Sequence, residues 1–338
     1  MLPLAAYADR LSVRPGETIR FHVANATGTD VHTDVVRVIC SDANPAGPGI
    51  QVEPTNTDIA TLATPGPQTV PHGSYFRADD IALLDTGKSF SFAARVFPTM
   101  PGTKLQTIAS TASGSPDNGF TLFLNKDGQL AAAVSNGDGE TGCATNRALA
   151  QRRWHTVWLR YDADAHDLSI GWVALDQTML ANSAPGTASM DVPSGALGHP
   201  STLLVGASNT LAPSLHFNGK LEAPSLWDSA LSDSQIDTLA AGEELDGALH
   251  AWDFSSDAAS SNVPDTGAHG CHGHVINTPV RAVTGSKWSG REMRFSDAPQ
   301  EFAAIHFHDD DLDDCLWPAT YEWTVPQGTR SSVYALQL

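Results

Sequence analysis

Apolar and polar residues alternate in short bursts along this chain. Behind the Pro15-Gly16 turn, Thr18, Arg20 and His22 interleave with Ile19, Phe21 and Val23, and Val31–Cys40 gives a second burst before Ser41–Gly49 breaks it. Residues 51–71 are proline-rich with little periodicity and read as a linker. From His72 the bursts become regular. Ser74–Phe76 reads as an edge strand, and Ser89–Phe97, Leu105–Ser110, Phe120–Asn125, Gln129–Ser135, His155–Tyr161 and Leu168–Val173 follow at short intervals. Asn125-Lys126-Asp127-Gly128 carries the turn chemistry of a hairpin. Short strands separated by turn signals predict a sandwich or barrel.

Two stretches break the monotony. Ser232 and Gln235 form a capping box ahead of Ile236, Leu239 and Ala240, with Gly242 placed to end a helix. Leu249–Val275 opens with His250, Trp252 and Phe254 on one pleat face and Leu249, Ala251 and Asp253 on the other. It then enters a turn built on Asp265, Gly267, Gly270 and Gly273, where Asp265 is expected to accept backbone N–H bonds. The tail from Lys287 holds Ala304–Asp314 and a final strand–turn–strand; its alternating apolar end predicts that the chain is one part of something longer.

Composition supports the pattern. Twenty-eight glycines, 21 prolines and only 17% charged residues favour an all-β protein rich in turns. A formal net charge of −19 disfavours nucleic acid and anionic membrane as partners. No apolar run reaches the length of a membrane span, and the N-terminus lacks the basic and apolar segments of an export signal, so a cytoplasmic location is expected. Cys40, Cys143, Cys271 and Cys315 are widely scattered and read as reduced thiols.

Several motifs carry a resemblance. Arg153-Trp154-His155-Thr156-Val157 followed by LRYD, then FNGKLEAPSLW, the short helix and the Trp252–Gly273 segment, resemble the strand order of laminin-G-like, concanavalin A-like jelly rolls. A second resemblance runs from Tyr7 to Leu338. YADRLSVRPGETIRFHV, SDANPAGPG, HFHDDDLDDCLW and YEWTVPQG, in this order around the jelly roll, resemble the N-terminal half of the N,N-dimethylformamidase large-subunit family.

The resulting expectation is a concanavalin A-like sandwich over residues 72–284, inserted into an immunoglobulin-like β-sandwich made from 1–50 and 287–338. The terminal pieces need each other, because the first has too few strands to close a sheet. The resemblance implies a scaffold and interaction role beside a catalytic domain, a partner small subunit, an oligomer, and iron held by tyrosine and carboxylate residues of that other domain. It assigns no catalytic or cofactor-binding residue to this chain. The alternative is a glycan- or protein-binding lectin module.

Among chemistry-bearing clusters, His306, His308, Asp309 and Asp311 are the metal-ligand candidates, since two histidines at i and i+2 on a strand share a face. The bland reading of these four is a strand end entering an acidic turn. His269, Cys271, His272 and His274 invite a zinc reading, but their spacing fits no common structural site. Asp117, Asp138 and Glu140 are candidate loop ligands for calcium, without an EF-hand spacing to select them. Gly137–Gly142 spells GxGxxG without a surrounding βαβ unit. Trp154, Trp158 and Trp172 are expected in the core rather than as sugar platforms.

Overall fold

Strict alternation decides which side of each strand is buried. In Phe90–Pro98, the residues Phe90, Phe92, Ala94 and Val96 point into the main core, and Ala93 and Arg95 point to the opposite face. The same split puts Val157, Leu159 and Tyr161 of His155–Asp162 inside and Trp158 outside. The computed structural model describes residues 2–81, 88–113, 118–136, 140–175, 184–192 and 200–338. It divides into two compact units, one made of Met1–Pro71 with Asp314–Leu338 and the other of His72–Asp313.

The larger unit is a sandwich of two antiparallel sheets. One runs in the order Glu140–Ala148, Gln129–Asn136, Asn118–Leu124, Gln106–Ser110, Thr202–Val205, Tyr75–Asp79, Gly273–Ile276 and Asn262–Val263. The other runs Gly186–Asp191, Asp167–Ala174, His155–Asp162, Phe90–Pro98, Gly219–Trp227, Ala304–Phe307 and Val280–Val283, with His250–Ala251 added beside Gly219–Trp227. Phe76, Phe92, Leu122, Leu159, Trp172 and Phe307 fill the space between them. Each such side chain contributes about 1.5–3 kcal/mol on burial, which makes this the main store of stability.

Outside the second sheet lies the helix Asp233–Ala240. Its capping box is formed as expected, with the Ser232 side chain accepting from the Gln235 backbone N–H. Ile236 and Leu239 pack with Trp158 and Trp227 into a small second core on the outer face of that sheet. A loop farther on is organised by one cation: the Arg281 guanidinium donates to the carbonyls of Ser256, Asp257, Ser260 and Asn262.

In the smaller unit, both chain ends contribute to each sheet. Thr18–Asn25 pairs with Leu4–Ala8 and with Tyr321–Thr324, and Asp34–Ser41 pairs with Ile50–Pro54 and with Tyr334–Gln337. Ile19, Phe21, Val23, Val35, Tyr321 and Trp323 form its core.

Three boundaries differ from the sequence reading. The segment 51–71, expected to be linker, supplies most of Ile50–Pro54 and all of Ala60–Thr61 to the smaller unit's sheets. Residues 287–313, expected with the terminal strands, cluster with the larger unit, because Ala304–Phe307 pairs with Gly219–Trp227 and buries Ile305 and Phe307 in its core. Alternation announces a strand but not its sheet. Finally, the strand read as an edge at Ser74–Phe76 is Tyr75–Asp79 and lies between two neighbours, with Phe76 fully buried.

Candidate functional site

The metal-ligand candidates are drawn into a clasp between the first and last residues of the larger unit. The backbone N–H of Gly73 donates to the Asp311 carbonyl (2.8 Å) and that of Ser74 to the His308 carbonyl (2.9 Å). The Ser74 hydroxyl donates to Asp311 Oδ2 at 2.6 Å, and His308 N–H returns a bond to Ser74 Oγ at 3.0 Å. His72 Nδ1 lies 3.0 Å from the Asp309 carbonyl. Gly73 has φ +101°, and any side chain there would run into the His216 ring, so this approach requires glycine.

The four candidates go separate ways within the clasp. His306 and His308 do share a face, with ring centroids 4.1 Å apart. His308 Nδ1 donates to Asp311 Oδ2 at 3.3 Å, whereas Asp309 is taken by an ion pair with Lys104. Burial, then the neighbouring His308 and Lys220, push His306 down to about 4, so it is neutral at pH 7. Burial likewise lowers His216. Sequence reasoning missed His72, Ser74, Lys104 and His216, whose partners lie far along the chain: Ser74 and Asp311 are 237 positions apart.

The cysteine–histidine turn is similarly occupied. Asp265 is buried and accepts from the backbone N–H groups of Ala251, Gly267 and Cys271, each at 2.8 Å. His250 Nδ1, fully buried, donates to its second oxygen at 2.6 Å and stacks on Trp252. His272 Nδ1 accepts from the Asp265 N–H, and the Cys271 thiol donates to the Asp79 carbonyl. Among the described residues no group of three or more His, Cys, Asp or Glu is arranged to hold a metal ion. Of the calcium candidates, Asp117, Asp138 and the Glu140 side chain lie outside the described residues, as do the first three positions of the GxGxxG motif. Trp172 and Trp158 are core residues; Trp154 is half-buried against Phe97.

A third constellation was not foreseen from the sequence. Arg95 and Glu222 form a buried ion pair at 2.9 Å on the outer face of the second sheet. Arg95 also donates to the Gly242 carbonyl, and Glu222 accepts from the backbone and side chain of Ser286. The pair lines an open cleft of about 710 Å³ together with the loop after the helix and Lys287. Its sequence trace is Arg95 inside the apolar strand Phe90–Pro98, and Glu222 beside Lys220 in Gly219–Trp227.

Among the described residues, the tyrosine hydrogen-bonded to a carboxylate does not make an iron site of the tyrosine–carboxylate kind. The Tyr7 hydroxyl donates to one carboxylate, Asp314, at 3.0 Å and accepts from the Trp317 N–H; among the described residues no second acid is hydrogen-bonded to this pair. That pair fastens the smaller unit.

Residues 71–237 match the family model for the concanavalin A-like lectin/glucanases superfamily, and this segment is a laminin-G-like, concanavalin A-like domain. Along its whole length the chain is homologous to N,N-dimethylformamidase beta subunits. It is 32% identical over 366 residues to the subunit from Alcaligenes sp, covering 100% of this chain and 47% of the relative. To the subunit from Paracoccus aminophilus it is 31% identical over 365 residues, covering 99% and 47%. The chain thus spans about half the length of the curated relatives it matches. A solved structure of the Ruminococcus gnavus IT-sialidase CBM40 bound to α2,3-sialyllactose is 14% identical, with a TM-score of 0.40, covering 54% of this chain and 96% of that one. No helix among the described residues is long and apolar enough to cross a membrane.

Proposed function

We propose that this chain is the scaffold and interaction portion of an N,N-dimethylformamidase-like amide hydrolase, with the reaction centre and its iron in the part of the relatives that the chain does not span. The carrying observation is homology over 100% of this chain but 47% of the relative. Two further features support the reading. In the histidine and acid clusters most suggestive of chemistry, Asp311 is taken by Ser74, Asp309 by Lys104, and Asp265 by His250 and the Cys271 backbone, whereas His306 Nε2 has no partner among the described residues. The residues of the larger unit lie in sequence between the two pieces of a smaller one built from both chain ends. On this reading the chain packs against a catalytic domain and a companion subunit in an oligomer. Its four free thiols suit a reducing, cytoplasmic setting.

Dimethylamine release from N,N-dimethylformamide by the purified chain, supplied with ferrous or ferric iron, tests this. No release above buffer is expected from protein that is folded by circular dichroism. Iron-dependent turnover by the chain alone would overturn the proposal.

A further inference from the structure

A pocket of about 270 Å³ opens where three neighbouring strands of the second sheet end together. Phe97 stands near the end of Phe90–Pro98, Trp154 just before His155–Asp162, and Leu175 just after Asp167–Ala174; Arg152, Arg153 and Ser286 complete the described lining. The volume is below that of drug-sized sites, so the occupant is small. Backbone bonds tie the wall in place. The Arg152 N–H donates to the Pro98 carbonyl at 2.8 Å, and the Leu175 N–H to the Trp154 carbonyl at 2.9 Å. The Phe97 and Trp154 rings pack with centroids 5.5 Å apart.

The side chains of this wall are apolar or able only to donate. Phe97 and Leu175 carry no hydrogen-bonding atom, the Trp154 indole offers only an N–H, and the two guanidiniums offer N–H groups and no acceptor. The Ser286 hydroxyl already donates to Glu222, whose charge Arg95 matches. No acid lines the pocket among the described residues, in a chain whose net charge is −19. Arg153 is already engaged within the chain. Arg152 is exposed, and its side chain makes no hydrogen bond or ion pair among the described residues. Lys220, held by Thr284 rather than by an acid, puts a further positive charge 5.2 Å from the centroid of the Phe97 ring. At physiological ionic strength distant charges are screened beyond about 8 Å, so these nearby cations decide the local sign.

We propose that this pocket binds a small carboxylate borne on a flat apolar group. The Arg152 guanidinium, on a long exposed arm, takes the carboxylate, whose two oxygens suit its planar fork. The apolar body lies against Phe97, Trp154 and Leu175. A neutral sugar needs acceptors as well as donors and meets a wall of donors, and a cation is repelled. The assignment does not depend on where amide hydrolysis takes place.

The test is titration of the whole chain with phenylacetate, followed by calorimetry and by the Trp154 indole N–H resonance, which W154F identifies. Saturable binding with a shift of that resonance is expected. Phenylacetamide, the uncharged counterpart, should bind at least about tenfold more weakly, and so should phenylacetate to the R152Q variant. Arg152 is exposed, and the amide comparison needs no variant. Acetate, which has the charge but no ring, should also bind more weakly; equal binding overturns the apolar half of the assignment. The peptide N-acetyl-Gly-Gly-Phe, with a free C-terminal carboxylate, separates the sources. Binding at least as tight as phenylacetate supports the end of a partner polypeptide as the occupant, weaker binding supports a free acid, and both uphold the carboxylate. Equal affinity for phenylacetate and phenylacetamide, undiminished affinity in R152Q, or no saturation by any probe overturns the site.

Discussion

Replacing Asp265 by alanine is expected to lower the stability of the larger unit by roughly 4 kcal/mol or more, which places it among the exceptional single substitutions. The carboxylate is a hub. It accepts three backbone N–H groups, from Ala251, Gly267 and Cys271, and the imidazole N–H of His250, and its own side chain and that of His250 are closed to solvent. Alanine strands four donors, the buried His250 N–H and three partly buried backbone N–H groups, at up to about 1–3 kcal/mol each without an acceptor. It also frees the turn that carries Trp252 and Cys271, whose own bond (indole N–H to carbonyl, 2.9 Å) depends on the turn's shape. Asparagine should fall between the two, because one oxygen remains while its amide N–H₂ faces donors. Urea unfolding followed by tryptophan fluorescence measures the change. A loss below about 1 kcal/mol for D265A would mean that glycine geometry holds the turn without the acid.

Acidification gives the second large effect. His155 is fully buried, its ring edge-on to Trp172, and burial pushes it down to about 4 from 6.5. His306 is lowered to about 4 in the same way. Between those pH values the unfolded chain binds protons that the native chain refuses, so stability is complete above pH 6.5. It falls as the pH drops toward 4, then levels off for these two groups. At about 1.4 kcal/mol per pKa unit, His155 alone accounts for roughly 3 kcal/mol of that fall. His306 adds in the same direction, and its neighbours decide how far: His308 and Lys220 oppose its charge, whereas Asp311 favours it. Urea midpoints at pH 7, 5.5 and 4 report the slope, and H155F should flatten much of it. Equal midpoints from pH 7 to 4.5 would contradict burial of neutral imidazoles at both positions. Carboxylates held below their ordinary range, such as Asp79 beside Arg77, contribute only at lower pH.

What the sequence revealed was local. The Ser232–Gln235 capping box, the Asp265 turn and the alternation in Phe90–Pro98 each involve residues within a few positions of one another, and each appears as expected. The laminin-G-like character rested on such local motifs strung in order, which is why it was readable. Anything that depends on which strand meets which was not. Ala304–Phe307 alternates just as well for either unit, and only pairing with Gly219–Trp227 decides. Arg95 and Glu222 are 127 positions apart, and each alone is an ordinary charged residue in a strand. The His306–Asp311 stretch showed a cluster but not its purpose, because the answer lies in Ser74 and Gly73, at the far end of the unit.

That stretch carries the central claim, that its polar groups close the inserted unit rather than hold a reacting centre. A double-mutant cycle on Ser74→Ala and Asp311→Ala, measured by urea unfolding, addresses it most directly. The 2.6 Å hydroxyl–carboxylate bond between them predicts that the double variant loses about 1 kcal/mol less than the two single losses added together. Strictly additive losses would show that the two residues do not act as one fastening, and the clasp would have to be abandoned.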